Sequence, residues 1–330
     1  MAVMVTGGAG YIGAHVVRLL QEAGVPVIVV DDLSTGDAAR VGDVPLVELD
    51  VAAPDAATTI AEVMRDHAVD AVIHFAAKKQ VGESVARPVW YFEQNVGGLA
   101  NVLSAAEQCG VERFVFSSSA AVYGMTGELP VDEDAALSPI NPYGQTKLVG
   151  EWLLRDAATA FGLRTVSLRY FNVAGAGWSD LGDPQVLNLV TIVLDRLDRG
   201  EPPLVFGTDF DTPDGSGVRD YVHVLDIAAA HIEALAYLES GIRAHDVFNV
   251  GRGEGVSVLE IIEAIGTATG RTISPVAVAA RDGDPARVVA DAARLRSETG
   301  WTPTRDLGQI IGSAVEAAAI LRAQGVAPRA

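Results

Sequence analysis

Short, largely apolar runs recur along the chain at Ala2–Thr6, Val27–Val30, Leu46–Leu49, Ala71–Phe75, Arg113–Phe116, Arg164–Leu168 and Val247–Val250. Runs of this length without polar alternation predict strands buried on both faces, as in a parallel sheet. Between them the apolar spacing turns helical. Ile12, Val16, Leu19 and Leu20 share one face after the first run, and a helix over Tyr91–Gln108 follows Pro88. Pro142 opens another helix to about Ala160, and later ones are expected over Val186–Leu197, Asp226–Leu238, Ala292–Thr299 and Leu307–Ala323. Ser257 and Glu260 form a capping box that opens one more. Strand and helix alternate, so the pattern predicts an α/β chain whose parallel sheet is covered on both faces.

The first strand runs into Gly7-Gly8-Ala9-Gly10-Tyr11-Ile12-Gly13 and then a helix. Strand, glycine turn and helix form a dinucleotide fingerprint: the glycines let backbone approach a pyrophosphate, and the helix N-terminus offers N–H groups. Asp31 ends the second strand 18 residues after Gly13, where an acidic residue holds adenosine ribose hydroxyls; its neighbour Asp32 is the alternative. No arginine or lysine lies between Asp31 and Gly36, so NAD is expected over NADP. The expected fold is a Rossmann-type doubly wound sheet with a smaller mixed α/β substrate-binding domain. Gly and Asp enrichment from Gly175 to Gly182 places the NAD-binding domain at 1–175 and the second domain at 176–330, with residues 222–250 returning to the first. Without repeats or a low-complexity linker, the two domains should pack closely.

Candidate chemistry sits at the strand ends. Asp50 and Val51 suit adenine, and the small Ala76 and Ala77 allow close approach of a cofactor. Ser119 ends the fifth strand at the edge where open α/β sheets bind ligands. Tyr143 and Lys147 are four residues apart on one helix face, and an ammonium there favours the phenolate of a tyrosine serving as base. His74 lies inside a strand and reads as a satisfied core histidine. Asp209–Gly217 is a polar loop and Arg281–Pro285 a charged turn.

Composition narrows the partners. The 330 residues carry 24 basic and 43 acidic side chains, a formal charge of -19, which disfavours nucleic acid and membrane surfaces but permits a phosphorylated small molecule. Cys109 is the only cysteine and cannot form an internal disulfide, which fits a reducing cytoplasm; it reads as a small buried hydrophobe. Neither a basic leader nor an apolar run of about 20 residues is present, so no signal peptide or membrane span is expected.

These motifs together resemble the extended short-chain dehydrogenase/reductase superfamily and, within it, the UDP-glucose 4-epimerase family. Five segments up to Asn172 carry the closer likeness: residues 5–13, Val81-Gly-Glu-Ser84, Ser117-Ser-Ser-Ala-Ala-Val-Tyr-Gly124, Pro142-Tyr-Gly-Gln-Thr-Lys147 and Arg169-Tyr-Phe-Asn172. Gly217-Val-Arg-Asp-Tyr-Val-His-Val224 and Gly283-Asp-Pro285 extend it over nearly the whole chain. The resemblance implies a C4 oxidation, rotation of the 4-keto sugar and re-reduction with tightly bound NAD.

The resemblance also implies residue roles. Gly7, Gly10, Tyr11, Ile12 and Gly13 would meet the pyrophosphate. Asp31, Asp32, Leu33, Ser34, Thr35 and Gly36 would line the adenosine ribose, and Asp50 with Val51 the adenine. Phe75, Ala76, Ala77, Lys79, Asn95 and Phe171 would complete the NAD pocket; Lys78 is the alternative to Lys79. Ser119, Tyr143 and Asn172 would face the hexose. Asn188, Leu189, Val205, Phe206, Arg219, Arg281 and Asp284 would hold the UDP part, the two arginines as forked donors to a diphosphate. Val288 would border the sugar, where its intermediate size leaves N-acetylhexosamine or pentose substrates open. A dehydratase of the same fold would place acids after the strand-end hydroxyl, where Ala120 and Ala121 stand. A reading of another class, an NAD-binding sensor, has no use for the Tyr143 base. The likeness implies a homodimer through the 91–108 and 143–160 helices.

Overall fold

The structure is a computed structural model and describes residues 2–127, 130–241, 243–281 and 283–325. The apolar runs become strands β1 (Val3–Thr6), β2 (Val27–Asp31), β3 (Leu46–Glu48), β4 (Ala71–His74), β5 (Arg113–Ser119) and β6 (Arg164–Tyr170). With the late strand His245–Val250 they form one seven-stranded parallel sheet. Its order runs from His245–Val250 through β6, β5, β4, β1 and β2 to β3. Every residue of β1, β2 and β4 is buried, because helices cover both faces. On one face helix α1 (Tyr11–Glu22) packs on Val224–Ser240 in a core with Val16, Leu20, Leu235 and Phe248. On the other, Ala56–Asp66, Gly98–Cys109 and Pro142–Phe161 enclose Met4, Ile60, Phe114 and Leu154.

The expectations hold for most elements, with instructive departures. The Ala56–Asp66 helix, which carries Ile60, Ala61 and Met64 inward, is an addition to the expected elements; Asp55 stands at its N-cap but makes no side-chain cap hydrogen bond. The helix expected from Tyr91 starts earlier, at Pro88, and passes through a π-helical turn at Glu93–Gly97 before continuing to Cys109. The helix expected from Val186 starts only at Leu189, because Asn188 caps it: the side chain accepts from Thr191 N–H at 3.1 Å. The strand Val218–His223 was not foreseen; it pairs with Asn172–Ala174, Gly255–Ser257 and Arg287–Val288 in a second sheet. Ser257 and Glu260 form the expected capping box. His74 is buried, its Nδ1 2.7 Å from the Thr6 hydroxyl. Cys109 is half-buried, with its thiol 3.3 Å from the Ala61 carbonyl.

A second apolar core under Leu189–Asp198, Val258–Thr269 and Leu307–Ala323 gathers Val193, Ile261, Ile265 and Ile310. The segment at 175–177 ties the two halves together. Tyr11 donates to the Gly175 carbonyl, Gly177 N–H donates to His15 Nε2 at 2.9 Å, and Ala176 N–H to Ser313 Oγ at 3.1 Å. Among the described residues, no helix is long and apolar enough to cross a membrane.

Candidate active site

A cavity of about 450 Å³ opens along the carboxyl ends of the sheet strands. The glycine turn after β1, the β2 end and the residues after β4 line one part; Ser117, Tyr143, Lys147 and Tyr170 line another. Of the cofactor residues expected from sequence, Gly7, Gly10, Tyr11, Ile12, Gly13, Asp31, Asp32, Ser34, Thr35, Asp50, Val51, Phe75, Ala76, Ala77, Lys79, Tyr143 and Lys147 all line it. Leu33, Gly36, Asn95 and Phe171 do not.

The turn fits a dinucleotide on its own geometry. A Cβ on Gly13 would lie 2.2 Å from the Gly7 carbonyl oxygen, and one on Gly7, at φ +70°, would lie 2.6 Å from Ala76 N. Helix α1 has Gly10 as its N-cap with no side-chain acceptor, so its first N–H groups face the turn uncapped, as an anion site requires. Asp31 is buried; it accepts from Ala9 N–H and Leu33 N–H, each at 2.9 Å. Burial pushes its carboxyl up while those two N–H groups hold it down. A carboxylate has about four lone-pair sites, so two remain for ribose hydroxyls. Gly36 packs so closely against Asp31 and Ala9 that a Cβ would meet Asp31 Oδ1 at 2.9 Å; its part is to shape the turn.

Asn95 sits under the cavity wall. Its side chain accepts from Lys78 N–H at 2.8 Å, donates to Lys78 O at 3.0 Å, and donates to Thr146 Oγ1 at 3.0 Å. It therefore fixes the backbone after β4 against the helix that carries Lys147. Lys78 and Lys79 diverge. Lys78 Nζ reaches Asp32 Oδ2 at 3.0 Å, whereas Lys79 is exposed and has no hydrogen-bond partner among the described residues.

Tyr143 and Lys147 rise from the first turns of Pro142–Phe161, opened by Asn141, whose side chain accepts from Gly144 N–H at 2.9 Å. Gly144 is obligatory there, since a Cβ would meet the Ala121 carbonyl at 2.5 Å. Burial pushes the Tyr143 phenol up, and a hydrogen bond with the Ser119 side chain opposes it. The ammonium of Lys147 lies 5.9 Å from the Tyr143 ring centre and donates to Ser117 O at 2.8 Å. Burial brings Lys147 down to about 7, against the Glu151 carboxylate, which raises it. Lys147 is thus itself desolvated and aimed at a strand carbonyl, while the Ser119 hydrogen bond opposes the effect of burial on the phenol. Ser119 caps the short 3-10 turn Ala120–Val122 and does not itself line the cavity.

One turn beyond Lys147, Glu151 is buried and fully engaged. Arg169 Nε and Nη2 donate to its two oxygens at 2.9 and 2.6 Å, and Ser118 Oγ donates at 2.5 Å. Arg169 also donates to the Tyr123 hydroxyl at 3.0 Å, which donates to Asn249 Oδ1 at 2.6 Å. The Pro142–Phe161 helix, β5, β6 and the returning strand thus share one polar network.

The residues expected for the UDP part disperse in kind. Arg219 Nη2 donates to Asp284 Oδ1 at 2.5 Å, and the Arg281 guanidinium stacks 3.9 Å from the Phe206 ring centre. Asp282, within the charged turn, lies outside the described residues. Asn188 caps its helix and donates to Asp183 Oδ2 at 2.8 Å. Leu189 packs at the edge of the second core, and the Val205 side chain is buried inside it. Phe171 and Val288 join a small cluster with Val122, Tyr123, Val131 and Leu148. Asn172 opens the short strand Asn172–Ala174 in the second sheet.

The cavity also has walls that sequence reading left out: Leu49, Gln80, Glu83, Trp90, Gln94, Ser117, Tyr170, Pro184, Gln185 and Leu187. Ser117 and Tyr170 adjoin recognised strand ends, so position alone could have found them. Pro184, Gln185 and Leu187 come from the loop between the halves, and no local pattern marks them.

A model of the NAD dependent epimerase/dehydratase family matches residues 3–251. Among curated proteins, the UDP-glucose 4-epimerase of Azospirillum brasilense is 45% identical over 319 residues, 95% of this chain and 90% of that protein. A UDP-glucose 4-epimerase crystal structure from Stenotrophomonas maltophila, with bound NAD and formylated UDP-arabinopyranose, is 41% identical with a TM-score of 0.91, covering 98% and 99% of the two chains. One from Brucella ovis in complex with NAD is 41% identical with a TM-score of 0.89, covering 95% and 97%.

Proposed function

The chain belongs to the NAD dependent epimerase/dehydratase family and is an NAD-dependent epimerase, and from that premise we propose that it interconverts UDP-galactose and UDP-glucose. The observation that carries the reading is a tyrosine paired with Ser119 at the cavity where a buried lysine also opens, followed by Ala120 and Ala121 and not by acids. Such a set moves one proton and leaves the other sugar hydroxyls alone. The Azospirillum brasilense relative's name and the UDP-sugar in the Stenotrophomonas maltophila structure support the substrate class.

In this reading residues 1–175, with 222–250, hold NAD, and 176–330 bind the UDP-sugar. NAD, held by Asp31, the glycine turn and Lys147, would supply the hydride acceptor for sugar C4 and the donor that restores it. Tyr143 takes the C4 hydroxyl proton and gives it back, and Ser119 donates to the same oxygen. Lys147 holds the nicotinamide ribose end of the cavity. Asp31 accepts from the adenosine ribose, and the uncapped end of α1 receives the pyrophosphate. Arg219 and Arg281 bind the diphosphate, Asp284 the uridine ribose, and Asn172 and Val288 border the sugar. Anchoring by UDP keeps the 4-keto sugar in place while it turns. The lone Cys109 suits a cytoplasmic protein, and Trp152, 47% exposed on the Pro142–Phe161 helix, suits a homodimer face.

The decisive experiment incubates purified protein with UDP-galactose and follows UDP-glucose, with UDP-N-acetylgalactosamine and a UDP-pentose in parallel. Conversion of UDP-galactose is expected. Conversion of the N-acetyl sugar or pentose alone would move the assignment to that substrate. No conversion by protein that retains NAD would favour a sensor.

A further inference from the structure

Lys78 and Asp32 leave from opposite sides of the glycine turn. Asp32 follows β2 and Lys78 follows β4, and β1 lies between those strands, with Thr6 in register with Val30 on one side and His74 on the other. At a strand spacing of about 4.8 Å the two loops start about 10 Å apart, across the end of β1. Lys78 closes that gap: its Nζ lies 3.0 Å from Asp32 Oδ2 and 2.9 Å from Ser34 Oγ. Both ends are held from behind. Asp32 Oδ1 accepts from Ser34 N–H at 3.0 Å and from Ser34 Oγ at 2.6 Å. The Lys78 backbone is bound at both its N–H and its carbonyl by Asn95. Asp32, Ser34 and Lys78 all line the cavity, yet the charged side chains are 20% and 29% exposed, which places the pair at its solvent edge.

We propose that the Lys78–Asp32–Ser34 bridge is a clasp across the cofactor cleft, which must open for NAD to enter or leave and so slows exchange in both directions. The proposal rests on the reading of this cavity as the NAD site. It assigns Lys78 a positioning role that the sequence left open between two adjacent lysines, with Lys79 free to meet the cofactor. A gate that must open for passage in either direction raises the barrier to entry and exit alike, so it changes rates and leaves affinity nearly unaltered. A lysine that touched the cofactor directly would change affinity through the release rate.

The test is stopped-flow fluorescence of NADH binding to, and chase by excess NAD from, purified protein, for wild type, Lys78→Met, Asp32→Asn and the double variant. Association and release should both quicken about two- to fivefold in Lys78→Met, the range set by an ion pair of this exposure. Its Kd should move less than about twofold, and the double variant should match the single ones, because one bridge is lost in each. Raising salt should speed release from wild type and leave Lys78→Met unchanged. Wild-type rates in all variants, or a weaker Kd with unchanged association in Lys78→Met, would overturn the clasp while leaving the cavity as the cofactor site. A wild-type protein that binds no NADH would remove both readings.

Discussion

Tyr143 works between opposing local effects. Burial raises its phenol and the Ser119 hydroxyl lowers it, so a side chain at the end of β5 acts on a tyrosine carried by a helix. Tyr143→Phe keeps the ring and removes the proton carrier. Turnover should fall about 10²- to 10⁴-fold in the UDP-galactose assay, and a near-normal rate would remove Tyr143 from the chemistry. Lys147 makes a complementary prediction in the ligand-free protein. Its folded value of about 7 lies below the ordinary lysine value of about 10.4. The unfolded chain therefore binds the extra proton between those values. Wild type should gain stability relative to Lys147→Met as pH rises from about 7 to 10, by up to about 1.4 kcal/mol per pH unit. Thermal melts of both proteins across that range would show it, and parallel curves would contradict a desolvated lysine.

At the scale of elements, the Pro142–Phe161 helix is aligned by more than its apolar face. Glu151 and Arg169 form a bidentate pair, each side chain 4% exposed, that joins the helix to β6. Removing one partner leaves the other charged and buried. Arg169→Met should cost about 3–5 kcal/mol in denaturant unfolding, with the loss much reduced when Glu151→Gln is added. An additive double variant would mean that the pair does not act as a unit. How legible each element was depended on its signals. Leu307–Ala323 has apolar periodicity and a capping Asp306 and was found with its boundaries. The Val218–His223 strand carries Arg219 and Asp220 in its middle, and its strand identity comes from its neighbours; Asp220 accepts from Arg252 N–H and Gly253 N–H, each at 2.9 Å. The 186–188 stretch has helical apolar content but lies before a cap, and the Asn188 side chain decided where the turn could start.

Across the whole molecule, burial keeps histidines neutral in both halves and between them. His15 and His74 are brought down to about 3, and His223 and His231 to about 4, chiefly by loss of solvent. Each folded value lies below the ordinary value of about 6.5, so the unfolded chain takes up protons first as pH falls. Stability from these groups is complete above about pH 6.5 and declines below it, by at most about 1.4 kcal/mol per pH unit for each histidine. Melting temperature should drop steadily from pH 7 to pH 5; a flat profile would contradict neutral burial. His15 has a particular stake, since its Nε2 accepts from Gly177 N–H and its Nδ1 lies 2.8 Å from Tyr11 O. Protonation would remove the acceptor that joins the glycine-turn helix to the segment between the halves.

The sheet is legible in the sequence alone, because apolar runs buried on both faces need no partner information to be recognised, and so is the glycine turn, marked by its place between a strand and a helix. It also placed Tyr143 and Lys147 on one face, which helical period requires. Tertiary structure decided what those groups experience. The Tyr143 phenol loses solvent and meets the Ser119 hydroxyl, and Val205 packs inside the second core. No basic residue lies between Asp31 and Gly36 in the sequence, yet Lys78 comes to rest on Asp32 because β1 separates their strands and their loops leave the same edge of the sheet. Charges far apart along a chain meet only through topology, and local pattern carries no record of it.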